Sequence, residues 1–232
     1  MDLADASGQS LQDKLELSRQ RLASILQDFA PQEILLAWSG GKDSTLLLAI
    51  FLQLWQEEMQ AVWAPKVVSL DTGCKFPEVI NFRDAIAKSW GLWLLLAKPE
   101  VDLDNYPLAR DPVQCCLDLK IRPLQKVIQE EGARVLLTGT RHDEAFSRQE
   151  KSWLEEKDPG YLQANPILHW SEMDVWAWHQ ITGQEYCALY DQGYRSLGCM
   201  PCTQKADGGP ERQGRNREKE EQMQILSSLG YF

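Results

Sequence analysis

Between residues 9 and 29, Leu11, Leu15, Leu22, Ile25, Leu26 and Phe29 recur at helical spacing and predict an amphipathic helix, which Pro31 ends. The pattern then changes to short, continuously apolar runs. Ile34-Leu35-Leu36-Ala37-Trp38 predicts a first strand, and Leu46-Leu47-Leu48-Ala49-Ile50-Phe51-Leu52 the apolar body of a helix reaching about Glu58. Lys66-Val67-Val68-Ser69-Leu70 predicts a second strand, and a helix follows from about Pro77 to Trp90, with Pro77 suited to a first turn. Leu92-Trp93-Leu94-Leu95-Leu96 predicts a third strand, apolar throughout as a strand covered on both faces should be. A helix through Cys115-Cys116 to Glu131 and a fourth strand over Arg134-Val135-Leu136-Leu137-Thr138 complete the series. Strands alternating with helices at this spacing predict an α/β fold: a parallel sheet sandwiched by helices, with right-handed crossovers and a ligand site at the carboxyl ends of the strands.

After Arg148 the pattern weakens. Ser171 to Trp176 starts a helix, with Ser171 as cap and Asp174 at the capping-box position. Trp170, Val175, Trp176 and Trp178 read as core. Gly193 to Gly209 reads as loop and Glu211 to Leu229 as a charged helical tail, without internal repeats. The expected organisation is a helical segment over 1–30, a nucleotide-binding catalytic domain over 31–203 and the tail over 204–232.

At 232 residues, with 44% hydrophobic and 25% charged residues, the chain has the composition of a globular protein with one core. No apolar run reaches membrane-spanning length, and the acidic start differs from a basic signal peptide, so a cytoplasmic location is expected. The net charge of −10 sets the surface against nucleic acid and anionic membrane; nucleic acid would need a partner or a local basic patch. The nearest such patch is Arg212, Arg215, Arg217 and Lys219, interleaved with Glu211, Glu218, Glu220 and Glu221 in the pattern of a solvated helix face.

The chemistry concentrates after the strands. Ser39-Gly40-Gly41-Lys42-Asp43-Ser44-Thr45 joins the first strand to its helix. Gly40 and Gly41 permit a sharp turn and close approach, backbone N–H groups and hydroxyls face inward, and Lys42 adds charge, which suits a phosphate. A plain Gly-Gly turn with Asp43 and Ser44 as helix caps is the alternative. The spacing is not that of a Walker loop. Ser-Gly-Gly-x-Asp-Ser resembles the PP-loop of the ATP pyrophosphatase superfamily, whose members cleave between the α and β phosphates and leave AMP on a substrate.

Asp71-Thr72-Gly73 resembles the Leu-Asp-Thr-Gly element of the sulfonucleotide reductase and sulfate adenylyltransferase small-subunit families, which implies that Asp71 and Thr72 contact the nucleoside. Gly139 to Arg148 resembles their Thr-Gly-x-Arg-x-Asp-x-x-x-x-Arg element at Arg141, Asp143 and Arg148. Two guanidiniums beside a phosphate loop can clamp oxyanions; salt bridges to Asp143 and Glu144 are the structural alternative. His142 reads as a surface polar residue.

Six cysteines in such a chain argue for metal or redox chemistry before disulfides. Four thiolates from two segments can hold zinc or a [4Fe–4S] cluster. Cys115-Cys116-Leu117-Asp118-Leu119-Lys120-Ile121-Arg122-Pro123-Leu124 and Gly193 to Thr203, which includes Cys199 and Cys202, are similar to elements of the assimilatory adenylylsulfate reductases. The resemblance implies a [4Fe–4S] cluster on Cys115, Cys116, Cys199 and Cys202, with Lys120 a cation beside cluster and substrate. The reductases end in Glu-Cys-Gly-Leu-His with a nucleophilic cysteine. Here no cysteine follows Cys202, and Glu211-Arg212-Gln213-Gly214-Arg215 and Gly230-Tyr231-Phe232 resemble the sulfate adenylyltransferase small subunit instead. Cys74 is either inert or a persulfide carrier, and Cys187 reads as a small buried residue.

These resemblances imply an enzyme in which Lys42, Asp43, Lys120, Arg141 and Arg148 act on phosphates. Ser39, Gly40, Gly41, Ser44, Asp71, Thr72 and Gly73 hold the nucleotide, ATP or adenylylsulfate, and Mg2+ is admitted as a companion ion. The leading expectation is AMP-forming ATP pyrophosphatase chemistry that activates an acceptor for sulfur transfer, similar to iron–sulfur PP-loop proteins of DNA phosphorothioation and tRNA thiolation. A sulfonucleotide reductase whose nucleophile is Cys74 or comes from a partner is the second. A non-catalytic nucleotide-sensing subunit is the third. A sulfur donor or reductant protein is the expected partner, and oligomerisation stays open.

Overall fold

A computed structural model describes residues 9–59 and 64–231. Its centre is a six-stranded sheet of order β3-β2-β1-β4-β6-β5, in which only β5 runs antiparallel to its neighbour. The strands are β1 (Ile34–Ala37), β2 (Lys66–Leu70), β3 (Trp93–Ala97), β4 (Val135–Leu137), β5 (Leu154–Lys157) and β6 (Tyr161–Ala164). Because side chains alternate along a strand, Ile34, Leu36 and Trp38 join one core and Leu35 and Ala37 the other. The first core is closed by α1 (Leu11–Asp28), α2 (Lys42–Met59) and α6 (Glu172–Thr182), through residues such as Leu22, Leu47, Phe51 and Trp178. The second is closed by α5 (Arg122–Glu130) through Leu124 and Ile128. Helix α3 (Pro77–Ser89) buries Ile86 in the first core.

Helix α1 is fixed at both levels. Ser10 and Asp13 form a capping box at its start, and the buried Lys14 ammonium lies 2.7 Å from Asp174 of α6. Asp174 also caps its own helix with Ser171. No described helix is long and apolar enough to cross a membrane.

Four features differ from the sequence reading. The third strand is at the sheet edge, not covered on both faces, and leaves Trp93 48% and Leu96 39% exposed. The weakly patterned stretch after Arg148 contains the hairpin β5–β6, whose second strand pairs with β4 and extends the sheet. The helix expected across Cys115–Glu131 is α4 (Pro112–Cys116), one π turn over Leu117–Ile121 and then α5. Pro123 lacks an N–H and crowds the carbonyl four residues before it, and the wider turn, closed by Arg122 N–H on the Leu117 carbonyl, accommodates it. Finally, the tail, with α7 (Arg217–Glu221) and α8 (Met223–Ser228), is no solvated face: Glu211, Arg212, Arg215 and Lys219 are buried.

Candidate active site

The sheet order reverses between β1 and β4, and a crevice opens there at the carboxyl ends of the strands. The β1–α2 loop forms its floor. Gly40 has φ of +80°, a left-handed conformation that costs glycine nothing. Ser39 N–H donates to Ser44 Oγ at 3.2 Å and the two hydroxyls lie 3.0 Å apart, while Thr45 donates to the Gly41 carbonyl and accepts from the Trp38 indole. The loop is therefore held in shape by its own side chains. A Cβ on Gly139 would lie 2.9 Å from the Ser44 backbone nitrogen, so glycine there lets the loop after β4 close onto the start of α2.

Three strand-end loops meet in the crevice: Ser39, Gly41, Asp43 and Ser44 after β1, Thr72 and Lys75 after β2, and Gly139, Thr140, Glu144 and Arg148 after β4. Lys120 enters from the π turn. The tail contributes Arg212, Arg215, Gly230 and Tyr231. Gly40, Lys42, Asp71, Gly73 and Arg141 do not line this space. Lys42 and Arg141 are buried behind the loop, 1% and 0% exposed.

The charges fall into three groups. In the first, Lys42 and Arg141 share the carboxylates of Asp43 and Glu211: Arg141 Nε donates to Asp43 Oδ1 at 2.6 Å, and both cations reach Glu211. Burial raises the Asp43 carboxyl, but Arg141 and Lys42 outweigh it and hold the group below its ordinary range. For Glu211 burial prevails and the shift is upward. In the second group, Glu144 bonds Arg148 and, at 2.6 Å, Arg212, whose guanidinium also holds Glu220 bidentately at 2.7 and 2.8 Å. Burial opposes ionisation of Glu144, yet Arg148 and Arg212 pull its carboxyl far below the usual range. The second group balances two cations with two carboxylates, and the first has a third carboxylate, Asp143, 3.5 Å from Arg141. Together they bolt the tail to the motif loop.

The third group is unbalanced. Lys75, Lys120, Arg215 and Lys219 have no carboxylate within ion-pair reach among the described residues. Lys75 donates to the Ser39 carbonyl at 3.2 Å, and burial with neighbouring Lys120 pushes its ammonium down to about 8. Among the described residues the Arg215 guanidinium donates to Ser196 Oγ alone, at 3.4 Å, and its Nε has no partner. A Cβ on Gly198 would lie 2.2 Å from Arg215 Nη2, so that glycine makes room for the guanidinium beside Cys199. Lys120 and Lys219 both donate to the Tyr231 phenol, at 3.4 and 2.7 Å. Burial would raise that phenol, but the two ammoniums bring it down to about 7.

Behind Lys120 lies a second, smaller pocket lined by Cys74, Cys115, Cys116, Cys199 and Cys202, all free thiols. Met200 N–H donates to the Cys74 carbonyl at 2.7 Å and Thr72 Oγ1 lies 3.3 Å from Cys199 Sγ, which joins the Asp-Thr-Gly loop to the Cys199–Cys202 turn. Cys199 and Lys120 border both spaces. Burial would raise the Cys199 thiol, yet Lys120, the Thr72 hydroxyl and Lys219 bring it down to about 7. Among the described residues no three His, Cys, Asp or Glu side chains converge as for a single metal ion. The donor set, four motif thiols from two segments around one pocket, matches the ligand chemistry of a polynuclear cluster.

Sequence reasoning did not single out Glu144, Lys75, Tyr190, Arg215, Lys219 or Tyr231 as site residues. Tyr190 accepts the Lys42 N–H at 2.9 Å. The Glu211–Arg215 and Gly230-Tyr231 resemblances carried the tail signal, but the local charge alternation obscured burial. His142 bonds the Lys151 carbonyl at 2.8 Å, and Cys187 is 1% exposed.

Residues 33–205 match the model of the phosphoadenosine phosphosulfate reductase domain. The chain is 33% identical over 150 residues to an adenosine 5'-phosphosulfate reductase of Bacillus velezensis, an alignment covering 61% of this chain and 64% of that one, a little under two thirds of the relative's length. An enzyme of the same name from Staphylococcus epidermidis is 30% identical over 194 residues, covering 79% of this chain and 76% of its own. In fold, the chain is similar to the FMN adenylyltransferase of Candida glabrata solved with FMN and an ATP analogue (TM-score 0.70, 19% identity, 95% and 83% covered). It is also similar to a phosphoadenylyl-sulfate reductase of Candida auris in a phosphate complex (0.66, 17%, 85% and 96%). A tRNA thiolase of Methanococcus maripaludis with its [4Fe–4S] cluster is a further fold neighbour (0.56, 14%, 80% and 70%). The matched range spans the six strands of the sheet and the Ser39 loop, and the chain belongs to the phosphoadenosine phosphosulfate reductase domain family.

Proposed function

We propose that the crevice binds an adenylyl sulfonucleotide, adenylylsulfate or its 3'-phosphorylated form, and that the chain promotes transfer of the sulfonate to a thiol. The observation that carries this reading is the group of four cations without carboxylates, Lys75, Lys120, Arg215 and Lys219, around Cys199 at one end of the crevice. Buried and half-buried cations left without carboxylates by the fold favour a dianionic ligand end. The names of the sequence relatives point the same way.

In this reading Ser39, Gly41 and Ser44 hold the α-phosphate, while Gly40 turns the loop and Asp71, accepting the Gly73 N–H at 3.3 Å, shapes the loop after β2 from outside the crevice lining. Thr72, which touches Cys199, belongs to the sulfate side. Lys42, Asp43 and Arg141 position the loop through their ion pairs, and Arg148 reaches the crevice from its bond with Glu144. A thiolate attacks the sulfate sulfur, a sulfur–sulfur bond forms, the bond from that sulfur to the bridging oxygen breaks, and AMP leaves with the electron pair. Lys75, Lys120 and Arg215 neutralise the charge that shifts to the bridging oxygen. A second thiol then releases sulfite and forms a disulfide. The thiols come from a donor protein or small thiol. Cys115, Cys116, Cys199 and Cys202 would hold a [4Fe–4S] cluster, which when bound supplies an anionic, redox-capable centre beside Lys120.

A second reading rests on Asp43, which lines the crevice with Ser39 and Ser44 and whose carboxylate would have to turn from Arg141 and Lys42 to meet a cation. That is a place for Mg2+ with ATP phosphates, and it supports AMP-forming pyrophosphatase chemistry on an acceptor destined for sulfur transfer.

One experiment separates them. Anaerobically purified protein is offered adenylylsulfate with a thiol, and ATP with and without Mg2+. Sulfite and AMP from adenylylsulfate, independent of Mg2+, is the expected result. AMP and pyrophosphate from ATP, with adenylylsulfate untouched, would transfer the assignment to the second reading, and turnover of neither would leave a nucleotide-binding subunit.

A further inference from the structure

After α8 the chain reverses. Gly230, at φ +100°, and the Tyr231 N–H bond to the Leu226 carbonyl at 2.9 Å turn Tyr231 back into the crevice. There the phenol oxygen lies 2.7 Å from Lys219 Nζ and 3.4 Å from Lys120 Nζ, with the two ammoniums 4.4 and 5.4 Å from the ring centroid. Neither lysine has a carboxylate among the described residues. The tyrosine oxygen thus occupies the point where an oxyanion would be bound most strongly.

We propose that Tyr231 is an internal occupant of the sulfate subsite, and that a ligand carrying a terminal sulfate or phosphate displaces the Gly230–Tyr231 segment while AMP, which ends short of it, does not. The inference rests on the sulfonucleotide reading for the ligand's identity and on geometry alone for the displacement. It makes Tyr231 a specificity-determining residue: the anion must exceed the phenol in binding the two lysines. Ligands without a second anionic group meet the site closed.

The test titrates adenylylsulfate, AMP and inorganic sulfate into the full chain, wild type and the variants Tyr231→Phe and Tyr231→Ala, and follows chymotryptic release of the tail. Loss of one charge-assisted bond predicts roughly tenfold tighter adenylylsulfate and sulfate binding in both variants, with AMP within about twofold. In the wild type, adenylylsulfate or sulfate, but not AMP, should speed tail cleavage. Weaker adenylylsulfate binding in both variants, or protection of the tail by sulfate, would overturn the proposal, because Tyr231 would then be a ligand contact. Equal changes for AMP and adenylylsulfate would also overturn it, marking a merely structural tyrosine. If the wild type ignores adenylylsulfate yet sulfate still releases the tail, the sulfonucleotide reading fails and the displacement stands.

Discussion

Two sets of cations meet around the same crevice, the first buried and the second buried at Arg215 and Lys219 and half-buried at Lys75 and Lys120, and they differ in one further respect. Lys42, Arg141, Arg148 and Arg212 are each matched to carboxylates, whereas Lys75, Lys120, Arg215 and Lys219 are not. A matched cation is satisfied by the fold and cannot bind a ligand without giving up its partner. An unmatched one costs stability until a ligand arrives. In the proposed reading the difference separates the residues that hold the crevice in shape from those that recognise a ligand, although all eight are the same kinds of side chain.

The largest test attacks the matched set. Glu211→Gln leaves Lys42 with Asp43, and Arg141 with Asp43 and the more distant, half-exposed Asp143, and should lower unfolding free energy by about 3–5 kcal/mol in denaturant titrations. A loss below about 1 kcal/mol would remove the scaffolding role. The unmatched set should behave in the opposite way. Lys120→Ala and Arg215→Ala should leave stability equal or higher while adenylylsulfate affinity drops roughly 10- to 100-fold, as for hydrogen bonds to charged groups. Parallel losses in stability and binding would erase the distinction.

Acid provides a gentler probe. The Glu144 carboxyl is depressed in the folded state, so its contribution is fully present above its ordinary value of 4.5 and is lost as pH falls towards the folded value. Unfolding free energy measured from pH 6 downward should therefore decline, and Glu144→Gln should lessen that decline. The smallest effect belongs to the exposed pair Arg217–Glu221, where Arg217→Ala should change stability by no more than about 0.5 kcal/mol.

Much of this was legible in the chain. The four strands, the Ser39 loop and the meeting of three strand-end loops follow from apolar runs and glycine placement, because both are local consequences of sequence. The paired cysteine motifs were legible as motifs, and the structure brings them to one pocket. The edge position of β3 was not legible: an apolar run reports hydrophobicity and not strand order. The β5–β6 hairpin was hidden by Glu155, Glu156 and Lys157, though Asp158-Pro159-Gly160 between its strands was a usable turn signal. The tail misled for a sharper reason. Glu211 and Arg212 look solvated in sequence because their partners, Arg141 and Glu144, lie about seventy positions away. Charge alternation is the same for a wet helix face and a buried ion-pair seam; only the fold distinguishes them.

The most direct measurement is calorimetric affinity for adenylylsulfate relative to AMP, without Mg2+, in wild type and Arg215→Ala. The account predicts a clear preference for adenylylsulfate that falls by roughly tenfold or more in the variant, with AMP affinity unchanged. Equal affinity for the two ligands in the wild type, or a preference that survives loss of Arg215, would contradict it.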